Sequence, residues 1–272
     1  MADCGLLNFA TCLPQALFEY FLGLLNAIIQ PLLTFVKGLL SEPIQIDLFV
    51  SLWAIIIYIL SMFYAFLILY SGFNFIISGY DSAKREKAKD WLRNTIIMIV
   101  LVQASFFLYD LVIQLSSVMT SAVINMIDAN FFLLTVDNLA NVGLEISFFL
   151  IYVLTLLLTA LMLIIRYAIV AIGVVLFPMA IFFYFVEPLK PYGVLILNFL
   201  GVSIFVTFID AIVLIGFSKL IGIALFANFK ILVMISAFLC ANALMFFLVF
   251  FSLIKAGISV GNQVVKVIST FK

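Results

Sequence analysis

Histidine is absent from this 272-residue chain, and with it the commonest metal ligand and general base. Charge is scarce as well. Lys and Arg number 13, Asp and Glu 13, together a tenth of the residues, with a formal net charge of zero. Soluble domains run near a quarter charged, so these groups could not cover a globular surface. The zero balance leaves no global field to draw in nucleic acid, and any attraction must be local. No Walker A sequence, Rossmann glycine pattern, HExxH or CxxC occurs, so no nucleotide or zinc chemistry is visible. No catalytic residue, metal ligand or cofactor is therefore assigned, and no enzymatic activity of its own is expected. No basic residue precedes Lys37, which predicts no cleavable signal peptide. Of three cysteines, Cys240 lies within an apolar run and reads as packing. Cys4 and Cys12 fall in a segment expected outside the cell, where a disulfide is allowed; their spacing leaves a bridge and a chance pair equally open.

What the chain has is apolar length. Two-thirds of its residues are hydrophobic and 31 are Phe. The runs are unbroken rather than alternating, which disfavours barrel strands. A bilayer core needs ~20 apolar residues per helical crossing, so the chain can supply several. The expectation is an all-α, multi-pass protein of the cell membrane, surrounded by lipid.

One stretch sets its threading. Lys84, Arg85, Lys87, Lys89 and Arg93 crowd five of the thirteen basic residues between the apolar runs 48–78 and 95–127. Basic residues in short loops collect on the cytoplasmic side, which predicts a cytoplasmic loop over 79–94. Asp81 or Ser82 can cap a short helix there, and Trp91 suits the interface. The same five cations are candidate contacts for a partner ATPase or for DNA phosphates. Topology alone explains them as well, since Asp81, Glu86 and Asp90 offset three of the charges.

Before this loop, Gln15, Glu19, Gly23, Asn26 and Gln30 form one polar stripe at helical spacing. Residues 1–46 therefore read as an amphipathic segment lying outside, suited to an interface or a partner and broken by Pro31. Residues 47–254 read as the transmembrane domain, with about six spans. The second returns the chain outside, where Asp128, Asp137 and Glu145 lack basic neighbours. The run 146–185 is twice a bilayer in length; a hairpin with Arg166 at its inner turn, snorkelling to headgroups, divides it evenly. Pro178 then denies a hydrogen bond to the Val174 carbonyl and kinks the returning helix. Spans over 194–217 and 231–253 follow, with SKLIGIALFANFK between them lying on the inner interface or re-entering. Residues 255–272 read as an amphipathic C-terminal helix. Six spans from an outside N-terminus leave this lysine-bearing tail outside, against the positive-inside rule.

Two carboxylates lie within spans, where a charge costs ~2.5–3.5 kcal/mol and faces protein or water. Asp110 nears the outer boundary. Asp210 sits deeper and is the better candidate to line a wet path or pair with Arg166. Tyr109-Asp110 matches one motif of intramembrane aspartyl proteases, but Asp210 sits in FIDAI and no second motif follows.

The run KREKAKDWLRNTIIMIVLVQASFFLYDLVI resembles the CedA family of the archaeal DNA-import (Ced) system. The run RYAIVAIGVVLFPMAIFFYF, from Arg166 through Pro178, is similar to the core of TrbL-type inner-membrane subunits of type IV secretion machines. The likeness covers roughly 48–253. It implies a conjugation-like, DNA-translocating complex in which this chain is the channel or scaffold: a homo-oligomer working with small membrane partner subunits and a hexameric ATPase, with DNA as cargo. Carried over are the basic loop, Arg166 and Pro178. The rival readings are a secondary transporter, which would show paired half-repeats with matching breaks, and a structural scaffold, which needs neither Asp210 nor a wet interior.

Overall fold

The computed structural model describes residues 9–134, 139–223, 226 and 229–270. Among the described residues there are seven α-helices and no strand. They are α1 (Phe9–Ser41), α2 (Val50–Ile77), α3 (Ser82–Gln103), α4 (Ser105–Ile124), α5 (Leu139–Phe185), α6 (Lys190–Leu220) and α7 (Lys230–Thr270). Helix is what an apolar run must form in lipid, where each backbone group has to be satisfied within its own segment. Among the described residues, six stretches are long and apolar enough to cross a membrane: Ala16–Ser41, Asp47–Ile77, Ser105–Ile124, Gly143–Phe185, Glu187–Leu220 and Lys230–Ser252. The chain is a multi-pass helical membrane protein. Its large exposed side chains are accordingly apolar, as on α2, where Ile57, Leu60, Tyr64 and Ser71 form one buried stripe and most other positions face outward.

Two compact units divide the chain. The first comprises Met1–Glu42, Ser116–Arg166 and Val206–Phe247; the second comprises Pro43–Leu115, Tyr167–Phe205 and Leu248–Lys272. In the first, α1 buries Leu22, Ile29, Val36 and Leu40, a stripe at spacings of seven, seven and four. The Ser117 hydroxyl donates to the Ser41 carbonyl at 2.6 Å. The Asn26 amide donates to the Leu134 carbonyl and accepts from the Leu134 N–H, each at 2.9 Å. The chain from Ser117 to Leu134 therefore runs antiparallel to α1. Helices α5 and α7 run parallel: the Tyr152 and Phe238 rings lie 6.2 Å apart, and the Asn242 amide donates to the Thr159 hydroxyl at 2.9 Å.

In the second unit α2 lies antiparallel to α3 and the start of α4. Tyr70 meets Trp91 edge-on at 5.1 Å, and the Trp53 indole N–H donates to the buried Ser105 hydroxyl at 2.9 Å. The Tyr109 hydroxyl donates to the Val170 carbonyl at 2.7 Å, inside a core with Ile113, Val174, Leu200 and Ile204. The turn from α5 into α6 is tight. A Cβ added at Gly193 would lie 2.7 Å from the Ala180 carbonyl oxygen and 2.8 Å from the Tyr184 Cα, so a bare glycine lets the helices approach this closely.

Several expectations are corrected. Pro31 does not break α1, which runs through it for 33 residues; one lost hydrogen bond costs less than leaving a whole turn of backbone unpaired in lipid. Within that helix, Ala16–Ser41 is also long and apolar enough to cross a membrane. The 79–94 stretch is not a loop. Asp81 accepts from the N–H groups of Ala83 and Lys84, and the helix it caps continues for 22 residues to Gln103. The hairpin at Arg166 is absent. Helix α5 passes through both Arg166 and Pro178 as 47 continuous residues, about 70 Å at 1.5 Å per residue. A lone arginine among Leu, Ile and Ala brings no turn chemistry, so nothing interrupts the helix. The number of candidate spans stays at six with different members: α1 enters and α5 counts once. Residues 255–270 continue α7 instead of forming a separate helix, and their side chains lie outside the described residues. So do Cys4, the Cys12 side chain and, within SKLIGIALFANFK, Ala224, Leu225, Ala227 and Asn228.

Candidate functional site

The polar residues that the fold takes inside are concentrated in the first unit. On α5, Glu145, Tyr152, Thr159 and Arg166 recur every seven residues and so share one face of the helix. All four are buried, Glu145 at 1% exposure and Arg166 at 6%. Thr159 and Thr155 turn their hydroxyls back onto the carbonyls of Thr155 and Ile151, each at 2.8 Å. That leaves the Thr159 oxygen able to accept from Asn242 of α7. On α6, Thr207 and Asp210 occupy the buried face with Leu214. On α7 the buried stripe begins at Lys230, 6% exposed, and reaches Asn242.

Asp210 is the most exacting member of this seam. It is 2% exposed, and neither carboxylate oxygen takes a hydrogen bond among the described residues. Arg166 is the charged group that acts on it through space. A charge without hydrogen bonds in such surroundings is costly, so bundles keep one where it meets water, a proton or a moving solute. The Asn242 carbonyl oxygen is likewise buried and takes no hydrogen bond among the described residues. The seam thus offers unused acceptors among its buried polar residues.

The remaining candidates lie elsewhere. Lys84, Arg85, Lys87, Lys89 and Arg93 are all exposed on the first turns of α3. Lys84 reaches Asp81 at 3.8 Å and Arg93 reaches Asp90 at 3.2 Å, exposed i,i+3 pairs that contribute little. Arg85, Lys87 and Lys89 make no ion pair among the described residues, so this helix end presents three uncommitted cations. Pro178 is buried in the second unit, and the Val174 carbonyl it deprives is fully buried too. Asp110 is only half-buried and accepts from the Gln114 amide at 2.6 Å, a local pairing along α4. Asp210 and Arg166 are therefore brought into one unit, while the basic helix end and Pro178 belong to the other.

Glu145 and Lys230 were not anticipated as interior groups. Glu145 read as part of an acidic outer segment, although its heptad phase with Tyr152, Thr159 and Arg166 carried the signal. Lys230 had no such periodic marker. No protein-family model, curated protein or solved structure matches the chain.

Proposed function

We propose that the chain is the membrane conduit or scaffold subunit of a DNA-translocating complex, with its working path built on the Arg166 and Asp210 seam. The observation that carries a transport role is the buried Asp210 carboxylate, which takes no hydrogen bond among the described residues and feels the Arg166 charge in the same unit. DNA as the cargo rests on the CedA and TrbL likeness alone. In that reading the uncommitted Arg85, Lys87 and Lys89 dock a hexameric ATPase, which supplies the energy, and copies of the chain assemble with small membrane subunits around the path.

The proposed topology keeps the basic helix end of α3 cytoplasmic, following the positive-inside rule. Helices α4, α5, α6 and α7 then cross in alternation. Because α5 makes one crossing, the residues after Ser252 also fall on the cytoplasmic side, and Lys255 and Lys266 join the cations of α3 there.

The test is marker exchange between cells in a deletion strain complemented with variants, protein level being checked by blot. Asp210→Ala should abolish exchange at normal protein level. Asp210→Asn should do less damage, since the amide keeps a polar acceptor of the same shape in the seam. Full exchange by the deletion strain rejects the conduit role. A second reading, a secondary transporter, is favoured by the same lone carboxylate, the kind of group that couples a proton or cation to a solute. Loss of uptake of one small solute in the deletion strain, with marker exchange intact, selects it.

A further inference from the structure

The first unit contains a second feature that the seam does not use. A cavity of about 590 Å³ opens beside α1, within the range of ligand pockets. Its walls are mostly apolar, with Leu33, Val36, Leu214 and Phe238 among them. Its polar groups are few and come mainly from one helix face. Gln30, Thr34 and Lys37 follow one another at spacings of four and three on α1, and Asn125 joins them from just beyond α4. Lys37 is the sole charged residue in this lining.

Its ammonium makes no ion pair among the described residues. The nearest acid along the chain is Glu42, just past the end of α1, whose carboxyl lies against Gly38. The Thr34 hydroxyl is spent on the Gln30 carbonyl at 2.9 Å, but the Gln30 and Asn125 amides take part in no hydrogen bond among the described residues. An apolar chamber with one uncommitted cation and two free amides has a definite chemical complement. That complement is a hydrocarbon chain joined to an anionic head that also accepts hydrogen bonds. Lys37 lies four residues, about 6 Å, before the end of the candidate span Ala16–Ser41. Its long stem lets the ammonium reach toward a headgroup while the methylenes stay on apolar surface.

We propose that this cavity is a binding site for an anionic membrane lipid, one acyl chain lying against Leu33, Leu214 and Phe238 and the phosphate held by Lys37. Gln30 and Asn125 orient the headgroup. The polar stripe of α1 then has two uses: Asn26 fastens the helix to Leu134, and the next turns serve the lipid. This site is independent of the proposed cargo.

The experiment uses the full chain in detergent micelles, titrated with palmitoyl-oleoyl phosphatidylglycerol or with the matching phosphatidylcholine. Native mass spectrometry reads the bound fraction. Wild type should retain phosphatidylglycerol in preference. Lys37→Met should lower its affinity about fivefold, the effect of one basic residue near an anionic headgroup, and leave phosphatidylcholine unchanged. Leu214→Trp, which fills the chamber, should weaken both lipids. If that variant does not fold, Lys37→Glu, at an exposed position, replaces it and should abolish the preference. Equal retention of the two lipids by wild type overturns the proposal. So does an unchanged preference in Lys37→Met, or displacement of the lipid by millimolar inorganic phosphate alone.

Discussion

Asn26→Leu should destabilise the first unit well beyond the loss of one side-chain contact. In the native chain the Asn26 amide meets both backbone groups of Leu134, donating to the carbonyl and accepting from the N–H at 2.9 Å each. Leu134 is 3% exposed, so water cannot freely replace what the amide supplies. Each buried group left unsatisfied costs about 1–3 kcal/mol, which puts the pair at about 2–6 kcal/mol. Asn26 itself is half-buried, so relaxation of that side favours the lower half of the range. Asn26→Asp separates the two bonds. A carboxylate still accepts from the Leu134 N–H but no longer donates to its carbonyl, and the loss should be smaller than for Leu. The assay is thermal unfolding in detergent followed by near-ultraviolet circular dichroism, with the order of midpoints as the readout because such proteins unfold irreversibly. Hydrogen exchange at the Leu134 amide gives the local check and should accelerate in the Leu variant and little in the Asp variant. Wild-type unfolding of Asn26→Leu, or equal damage from Leu and Asp, refutes the reasoning.

Gly193→Leu should destabilise the turn between α5 and α6, because its Cβ would press on the Ala180 carbonyl and Tyr184 backbone; Gly201→Ala, with open space around it, should leave the unfolding midpoint unchanged or slightly higher. Pro178→Ala should restore a bond to the Val174 carbonyl and keep or raise the midpoint, and under the proposed conduit role it should lower transport. Single cysteines at 87 and 260, introduced without native cysteines, should both resist a membrane-impermeant thiol reagent in whole cells; labelling at 260 with protection at 87 would refute the proposed crossing count. A charge-swapped Asp210→Arg, Arg166→Asp variant should recover part of the transport that either single change loses, and no recovery would show that the two charges do not act on each other.

Much of the fold was legible because a bilayer leaves an apolar run few options. The runs over α2, α4, α6 and α7 are long enough to cross and lack competing turn signals, so composition and length alone determine that they are helices and that the protein is multi-pass. Asp81 could be read as a cap because an acceptor before a helical run satisfies free N–H groups whatever surrounds it. Asp210 could be singled out because a carboxylate in such a run needs an interior or wet setting.

Tertiary structure decided the rest. Whether Arg166 marks a turn or a buried position depends on what packs against α5, since an isolated helix tolerates either. Here the fold buries it at 6% exposure, and a 47-residue helix continues past it. The polar stripe of α1 read as suiting an interface or a partner better than a crossing, but Asn26 is committed to a backbone 108 residues away, a pairing that no local pattern specifies. Glu145 and Lys230 are hydrophilic by type and became interior by position. Local sequence sets which segments must be helical in lipid, because that requirement is met within each segment. Which face of each helix meets protein, and so which charges are buried, is settled only by the side chains brought against it.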